Sequence, residues 1–279
     1  MIKVDGNKIS EEILKGLQKE IKSLKKPLGL GVVLVGKNQI SSSFIKKKQE
    51  VAEKLGIIFK LFEFDSKISN KQLRHSLGKI AKRSDINGII IQLPLPTSLN
   101  SQYILDAIPF KKDVDVLSSI ASGKFYTGKP IVCPPVVEAV LKVFAQYDIK
   151  VEAQNVVIVG SGRLVGKPLS LELMRRGATV TVLNKFTSSL AEYVSRADVL
   201  ISGTGQINLI DQKMIKKGAV VIDAGMSVEA TRSGKQVLKG DVSPVGLEKK
   251  VKIFVPSSGG LGPITVATLM ENLIKLAKA

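Results

Sequence analysis

Short, unbroken apolar runs recur along this chain and limit its fold more than any other feature. They are LGVVLVG (30–36), GIIIQL (88–93), NVVIVG (155–160), DVLISG (198–203) and AVVIDAG (219–225). A strand with one face in water alternates apolar and polar residues, whereas a strand apolar at nearly every position needs cover on both faces. The cover is written between the runs. SEEILKGLQKEIKSL (10–24) opens with a Ser cap and carries Ile13, Leu14, Leu17, Ile21 and Leu24 at helical spacing. SSSFIKKKQEVAEKLG (41–56), SNKQLRHSLGKIAKR (69–83), PPVVEAVLKVFAQYDI (134–149) and a segment near 165–176 read as further helices. IIFKLFEF (57–64) and ATVTVL (178–183) read as strands, and PITVATLMENLIKLAKA (263–279) as a closing helix with Leu269, Met270, Leu273 and Leu276 on one stripe. Strand and helix in alternation predict an α/β fold built on parallel sheets. The period lapses over KKDVDVLSSIASGKFYTGKP (111–130), which is rich in turn residues and marks the expected domain edge.

Composition removes several classes of function. No run of about 18 apolar residues is present to span a membrane, and MIKVDGNKISEEI lacks the apolar core of a signal peptide. The single cysteine, Cys133, excludes an internal disulfide and a cysteine-held metal cluster. These features predict a cytoplasmic enzyme without a metal. The net charge of +18 is compatible with three readings: a nucleic-acid binder, a field that attracts small polyanions, or a generally lysine-rich background. The lysines are spread through every segment, and four tyrosines without a tryptophan leave few stacking platforms for single strands.

NVVIVGSGRLVGKP (155–168) places a strand, a glycine turn and a helix start in order. Gly160, Gly162 and Gly166 are spaced G-x-G-x-x-x-G rather than G-x-G-x-x-G, with the same chemical consequence. Small residues let the backbone approach a pyrophosphate, and the helix N-terminus stabilises its charge. The bland alternative is a purely structural strand–helix turn. At the end of the next strand an acidic residue would bond the ribose hydroxyls of NAD. Leu183, Asn184, Lys185 and Thr187 stand there instead. With no carboxylate to repel a 2′-phosphate and a lysine at hand, NADP is the expected cofactor, unless Lys185 simply points into water.

Lys46, Lys47 and Lys48 follow one another but are not equivalent. With about 100° per residue and Phe44 at zero, Val51, Leu55, Ala52 and Ile45 define an apolar arc from about −20° to about 100°. Lys48 falls inside that arc at about 40°, while Lys46 lies near 200° and Lys47 near 300°. An inward lysine either snorkels along its stem or is kept for a purpose. Desolvation lowers a lysine's pKa, which suits it to proton transfer near neutral pH.

KDVDV (112–116), QLPLP (92–96), GSGRLVGKP (160–168) and GGLGPITVATLMEN (259–272) together resemble the bifunctional methylenetetrahydrofolate dehydrogenase/cyclohydrolases, in order and spacing over nearly the whole chain. The resemblance implies two three-layer α/β domains with a cleft between them: a folate-binding catalytic domain over 1–118 with the C-terminal helix 263–279 returning to it, and a Rossmann-type NADP-binding domain over 119–262. It implies a homodimer; that the chain binds neither membrane nor nucleic acid is expected from the missing apolar span and the scattered lysines. The implied activity is oxidation of 5,10-methylenetetrahydrofolate with NADP, then addition of water to the methenyl product to give 10-formyltetrahydrofolate. The family's catalytic lysine, four residues after a tyrosine, falls on Lys48; its glutamine falls on Gln92 and its folate-orienting aspartate on Asp115. Gly259, Gly260 and Pro263 are implied on the folate side, and Gly160, Ser161, Gly162 and Met226 in cofactor binding.

The chain departs from the family pattern at informative places. Phe44 stands where the family usually has Tyr, which keeps a ring and removes a hydroxyl. A second reading therefore retains the dehydrogenase and loses the cyclohydrolase. Val116 replaces a Gly, Cys133-Pro134-Pro135 replaces Cys-Thr-Pro, and VPSSGG (255–260) replaces Pro-Val-Pro-Gly-Gly. Ser161 stands where some relatives have Arg, leaving Lys185 as the expected 2′-phosphate contact. The only histidine, His75, lies opposite Leu73, Leu77 and Ile80 on its helix and is assigned no role, nor is Cys133.

Overall fold

The computed structural model of the chain describes residues 1–24, 26–36, 39–230 and 236–279. β1 (Ile2–Lys3) and α1 (Gly6–Lys22) open the chain, followed by β2 (Gly29–Val35), α2 (Gln39–Lys54), β3 (Ile58–Phe64) and α3 (Asn70–Ala81). β4 (Gly88–Ile91), α4 (Ser101–Leu105), α5 (Ser119–Tyr126) and α6 (Pro135–Gln146) come next. β5 (Asn155–Val159), α7 (Gly166–Arg175), β6 (Thr179–Leu183), α8 (Leu190–Val194), β7 (Val199–Ser202) and β8 (Val220–Asp223) follow. β9 (Ser227–Ala230), β10 (Gln236–Lys239), β11 (Ile253–Val255) and α9 (Gly262–Lys278) complete it.

Two compact units result. One comprises Glu11–Pro135 with Val266–Ala279, the other Met1–Ser10 with Val136–Thr265. This division differs from a boundary after residue 118. Residues 119–135 stay with the unit that carries α2, and the first ten residues go to the other because β1 pairs in parallel with β11.

In the first unit a parallel sheet runs in the order β3-β2-β4. All seven residues of β2 are buried, the outcome expected of a central strand covered on both faces. Leu73, Leu77 and Ile80 of α3 pack with Val33, Val35, Ile89 and Ile91 in its core. α3 starts at a capping box in which Ser69 and Gln72 satisfy each other's backbone groups. Leu269, Met270, Leu273 and Leu276 of α9 are all buried, and Lys278 pairs with Glu20 at 2.7 Å.

In the second unit the order is β1-β11-β8-β7-β5-β6, all parallel. β6 lies to one side of β5 and β7 to the other, so the chain reverses direction across the sheet at the β5/β7 junction. Ligands of open α/β sheets lie outside the carboxyl ends of the strands at such a reversal.

Two expectations need correction. α1 begins at Gly6 rather than at a Ser10 cap, because the Asp5 Oδ1 accepts the Asn7 and Lys8 N–H groups at 3.0 and 3.3 Å. The stretch 111–130 is not irregular throughout: Ser118 accepts the Ala121 N–H at 3.3 Å and starts α5. That helix buries only Ala121 and Phe125, too few residues to leave an apolar stripe in the sequence.

Candidate active site

β2 delivers the chain into α2, and the phase of α2 sorts its lysines. Lys46 and Lys47 are exposed; Lys48 is half-buried on the side of buried Ile45, Ala52 and Leu55. Phe44, one turn earlier on the same face, is also half-buried. Lys48 Nζ donates to Gln92 Oε1 at 2.9 Å. Gln92 stands just beyond the carboxyl end of β4 and is itself fixed: its N–H donates to the Val33 carbonyl at 2.9 Å and its Nε2 to the Leu93 carbonyl at 2.9 Å.

Asp115 comes from the turn that follows a bridge between Asp113 and Ile89 of β4. Burial is the main influence on it, pushing its carboxyl up to about 6; the Lys48 charge pulls the other way and Asp113 adds to the rise. Lys48 in turn is lowered by burial, against the pull of Asp115. Lysine, glutamine and aspartate therefore form one electrostatic group inside a single unit.

The turn that aims Asp115 is held from both sides. Asp113, buried, accepts the Leu117 and Ser118 N–H groups at 3.0 and 2.7 Å, and burial raises its carboxyl. Asn272 of α9 donates to the Val114 and Cys133 carbonyls at 2.9 and 2.7 Å. Between them Val116 sits at φ 58°, in the left-handed region that a β-branched residue rarely enters. Only a glycine enters that region freely, so the Val in place of Gly is strained here.

The second unit carries the cofactor candidates. Gly160 N–H donates to the Leu183 carbonyl at 2.9 Å, which sets the turn beside the end of β6. A Cβ on Gly160 would stand 2.7 Å from the Gly203 carbonyl oxygen, and one on Gly166 1.8 Å from the Gly160 carbonyl oxygen. The turn is thus closed to side chains at both places, while Ser161 and Gly162 are exposed, with nothing within 4 Å of a Cβ built on Gly162. No side chain caps α7; the Lys167 N–H donates to the Gly162 carbonyl at 3.0 Å and Pro168 has none, which leaves the Gly166 N–H and the dipole of the helix start to meet an anion. These residues fit a pyrophosphate. Lys185 is exposed just past β6.

Met226 is half-buried beyond β8, and a Cβ on Gly262 would lie 3.8 Å from its Cε. Gly259 has φ 70°, and a Cβ on Gly260 would stand 2.7 Å from Pro256. Pro263 is the second residue of α9, where a missing N–H costs nothing. These three folate-side candidates belong to the second unit, whereas Phe44, Lys48, Gln92 and Asp115 belong to the first.

Sequence reasoning missed a buried carboxylate pair. Asp223, at the end of β8, accepts the Gly225, Asp241 and Val242 N–H groups at 3.1, 3.1 and 3.0 Å. Burial pushes it up to about 6, against those hydrogen bonds. Asp241 accepts Ser202 Oγ at 2.7 Å and the Thr204 N–H at 2.6 Å, and its Oδ1 is buried with no partner among the described residues. The available signal was an Asp closing an apolar strand in VVIDAG and another in KGDV. Among the described residues no group of three or more His, Cys, Asp or Glu is placed to hold a metal ion.

With this geometry in view, two family models match. The tetrahydrofolate dehydrogenase/cyclohydrolase catalytic domain covers residues 4–115, and the NAD(P)-binding domain of the same enzymes covers 133–279. The chain belongs to the tetrahydrofolate dehydrogenase/cyclohydrolase family. It is 36% identical over 278 residues to the bifunctional protein FolD of Nautilia profundicola, covering 99% of this chain and 96% of that relative. The crystal structure of the bifunctional enzyme FolD from Campylobacter jejuni superimposes with a TM-score of 0.92 at 33% identity, over 100% and 99% of the two chains. The Trypanosoma brucei methylenetetrahydrofolate dehydrogenase-cyclohydrolase, solved with NADP and an inhibitor, gives 0.94 at 28% identity, over 99% and 97%. Membership of the tetrahydrofolate dehydrogenase/cyclohydrolase family accounts for both units at once, one as catalytic domain and the other as NAD(P)-binding domain.

Proposed function

We propose that this chain oxidises 5,10-methylenetetrahydrofolate to the methenyl form with NADP and hydrolyses that product to 10-formyltetrahydrofolate. The observation that carries the reading is the Lys48–Gln92 hydrogen bond at 2.9 Å within the field of Asp115, on a chain of this family. NADP, when bound, accepts the hydride from the methylene carbon. Gly160, Ser161 and Gly162 with the start of α7 would hold its pyrophosphate, Lys185 would meet its 2′-phosphate, and Met226 would serve its nicotinamide end.

On the folate side Asp115 accepts hydrogen bonds from the pterin amino and ring N–H groups. Its carboxyl, raised only to about 6, is largely ionised at neutral pH and can do so. Lys48, its pKa lowered by burial, moves protons during addition of water to the methenyl carbon. Gln92 fixes Nζ for that work, and Phe44, one turn before Lys48 on α2, lines the folate side of this unit; Gly259, Gly260 and Pro263 of the other unit are folate-side residues by the family resemblance alone. Phe44 has no hydroxyl to hold the lysine, yet Nζ is held without one, by Gln92. That favours the bifunctional reading over a dehydrogenase alone. For assembly and place we propose a homodimer in the cytoplasm, on the family resemblance; separately, no described helix is long and apolar enough to cross a membrane.

The test follows methenyl absorbance after purified protein is mixed with methylenetetrahydrofolate and NADP. The expected trace rises and then falls faster than uncatalysed hydrolysis. A rise that decays only at the uncatalysed rate leaves a dehydrogenase alone, and no NADP-dependent rise refutes the proposal.

A further inference from the structure

An aromatic ring stands in solvent just past the carboxyl end of β6. Phe186 is 83% exposed, more than any other large apolar side chain among the described residues. Its backbone is nonetheless fixed. The Phe186 N–H donates to Asn184 Oδ1 at 2.9 Å, the Thr187 N–H to the Asn184 carbonyl at 2.9 Å, and the Asn184 N–H to Thr187 Oγ1 at 3.0 Å. This closed turn presents the ring at a set place. Lys185 Nζ lies over the ring, 4.9 Å from its centroid, which is cation–π distance. The ammonium takes one face and leaves the other open.

The position of the turn gives the ring a partner. Val159 of β5 is in register with Leu183 of β6, and Gly160 bonds back to Leu183, so residues 184–187 leave the sheet directly beside the glycine turn. In a dinucleotide-binding sheet the pyrophosphate lies at the first strand's turn, and the adenosine ribose reaches the end of the strand beside it. Here that strand end offers a flat π surface and a positive charge. Adenine supplies a π face of its own, and a 2′-phosphate supplies the anion.

We infer that Phe186 is the adenine-stacking residue of the cofactor site, and that Lys185 and Phe186 form a two-part reader of the adenosine 2′-phosphate end. The inference rests on the reading that this unit holds NADP. It divides the work: the ring binds the base whichever dinucleotide is present, and the ammonium alone discriminates NADP from NAD.

Calorimetric titration of the full chain with NADP, NAD and adenosine 2′,5′-bisphosphate tests the division. Phe186→Ala is expected to weaken all three ligands by a common factor of about ten, as loss of a base–aromatic stack does, and Phe186→Tyr to restore them. Lys185→Met is expected to weaken NADP and the bisphosphate while leaving NAD unchanged. Unaltered binding of all three ligands by Phe186→Ala overturns the inference. So does a Phe186→Ala chain that binds them normally but sediments as a smaller species, since the ring then serves contact between copies. If the unaltered chain binds neither NADP nor the bisphosphate, the cofactor reading itself fails and takes the inference with it.

Discussion

Replacing Lys48 with Met removes an ammonium while leaving most of the stem that fills its half-buried place. Three effects follow. Gln92 Oε1, in a residue only 8% exposed, loses its donor at 2.9 Å, which costs about 1–3 kcal/mol. A cation that burial disfavours is removed, which works in the opposite direction. Asp115 loses the positive charge that holds its carboxyl down, so its pKa rises above about 6. The first two oppose each other, so the net cost stays within about 1–3 kcal/mol, that of the lost donor, against a typical stability of about 5–15, and the variant stays folded.

The chemistry is affected far more. A positioned acid or base contributes about 10²–10⁴-fold, or about 3–5 kcal/mol of barrier, so methenyl hydrolysis falls by that factor. On the proposed role of Asp115 as an ionised acceptor for folate, the acid limb of oxidation moves upward from about 6, and folate KM rises more at pH 6 than at pH 8. NADP affinity is expected to be unchanged, because the proposed cofactor residues belong to the other unit. Decay of methenyl absorbance gives the first quantity, a pH series of oxidation rates the second, and calorimetry the third. Hydrolysis within about threefold of the unaltered enzyme would refute the role of Lys48, since such a change is well below the general acid–base range. A parallel fall in NADP affinity would show general damage instead of lost chemistry.

Val116→Gly should be unusually mild for a buried site: it loses about 2 kcal/mol of burial and 0.5–1 of backbone entropy, but relieves about 1–3 of left-handed strain. Denaturant melts should therefore show it costing at least 1 kcal/mol less than Val114→Gly, roughly the lower bound of that strain; equal costs would mean that Val116 is unstrained. For Asp223→Asn the readout is the pH dependence of the stability difference. The native pKa of Asp223 is raised from 3.8 to about 6, so the folded state binds the proton more tightly and its contribution is lost as pH rises between those values. The unaltered chain should lose up to about 3 kcal/mol relative to the variant from pH 4 to pH 6 and nothing further above pH 7; a flat difference would contradict the shift.

The sequence was most legible where one periodicity dominated. The buried strands β2, β4, β5, β7 and β8 show in the sequence because nearly every position is apolar, with Asn155, Ser202 and Asp223 only at strand ends. Lys48 shows because a 100° rotation separates it from two exposed neighbours. α5 does not, having no stripe, and β1, two residues long, has no pattern to read. The Asp223–Asp241 pair lay outside pattern reasoning for another reason. Asp223 and Asp241 are 18 residues apart, and only the fold places the N–H of Asp241 at 3.1 Å from the Asp223 carboxylate. The strain at Val116 was half legible: the exchange of Gly for Val is visible in the sequence, but its cost depends on a backbone angle.

Asp115 and Asp223 share a perturbation, each raised to about 6 by burial, and differ in what surrounds the carboxylate. Asp223 uses both oxygens on the backbone N–H groups of Gly225, Asp241 and Val242, which ties the end of β8 to residues 241–242. Protonating it relieves a buried charge by more than it weakens those internal bonds, and offers nothing to a ligand, so its shift reports on stability. Asp115 is offset chiefly by one charge, Lys48, while the backbone bonds that hold its turn go to Asp113. Its acceptor capacity therefore stays available for a ligand. A shifted pKa alone would mark both residues as candidates. The disposition of the hydrogen bonds separates them, because a carboxylate consumed by its own backbone cannot orient a pterin, whereas one held by its neighbours can.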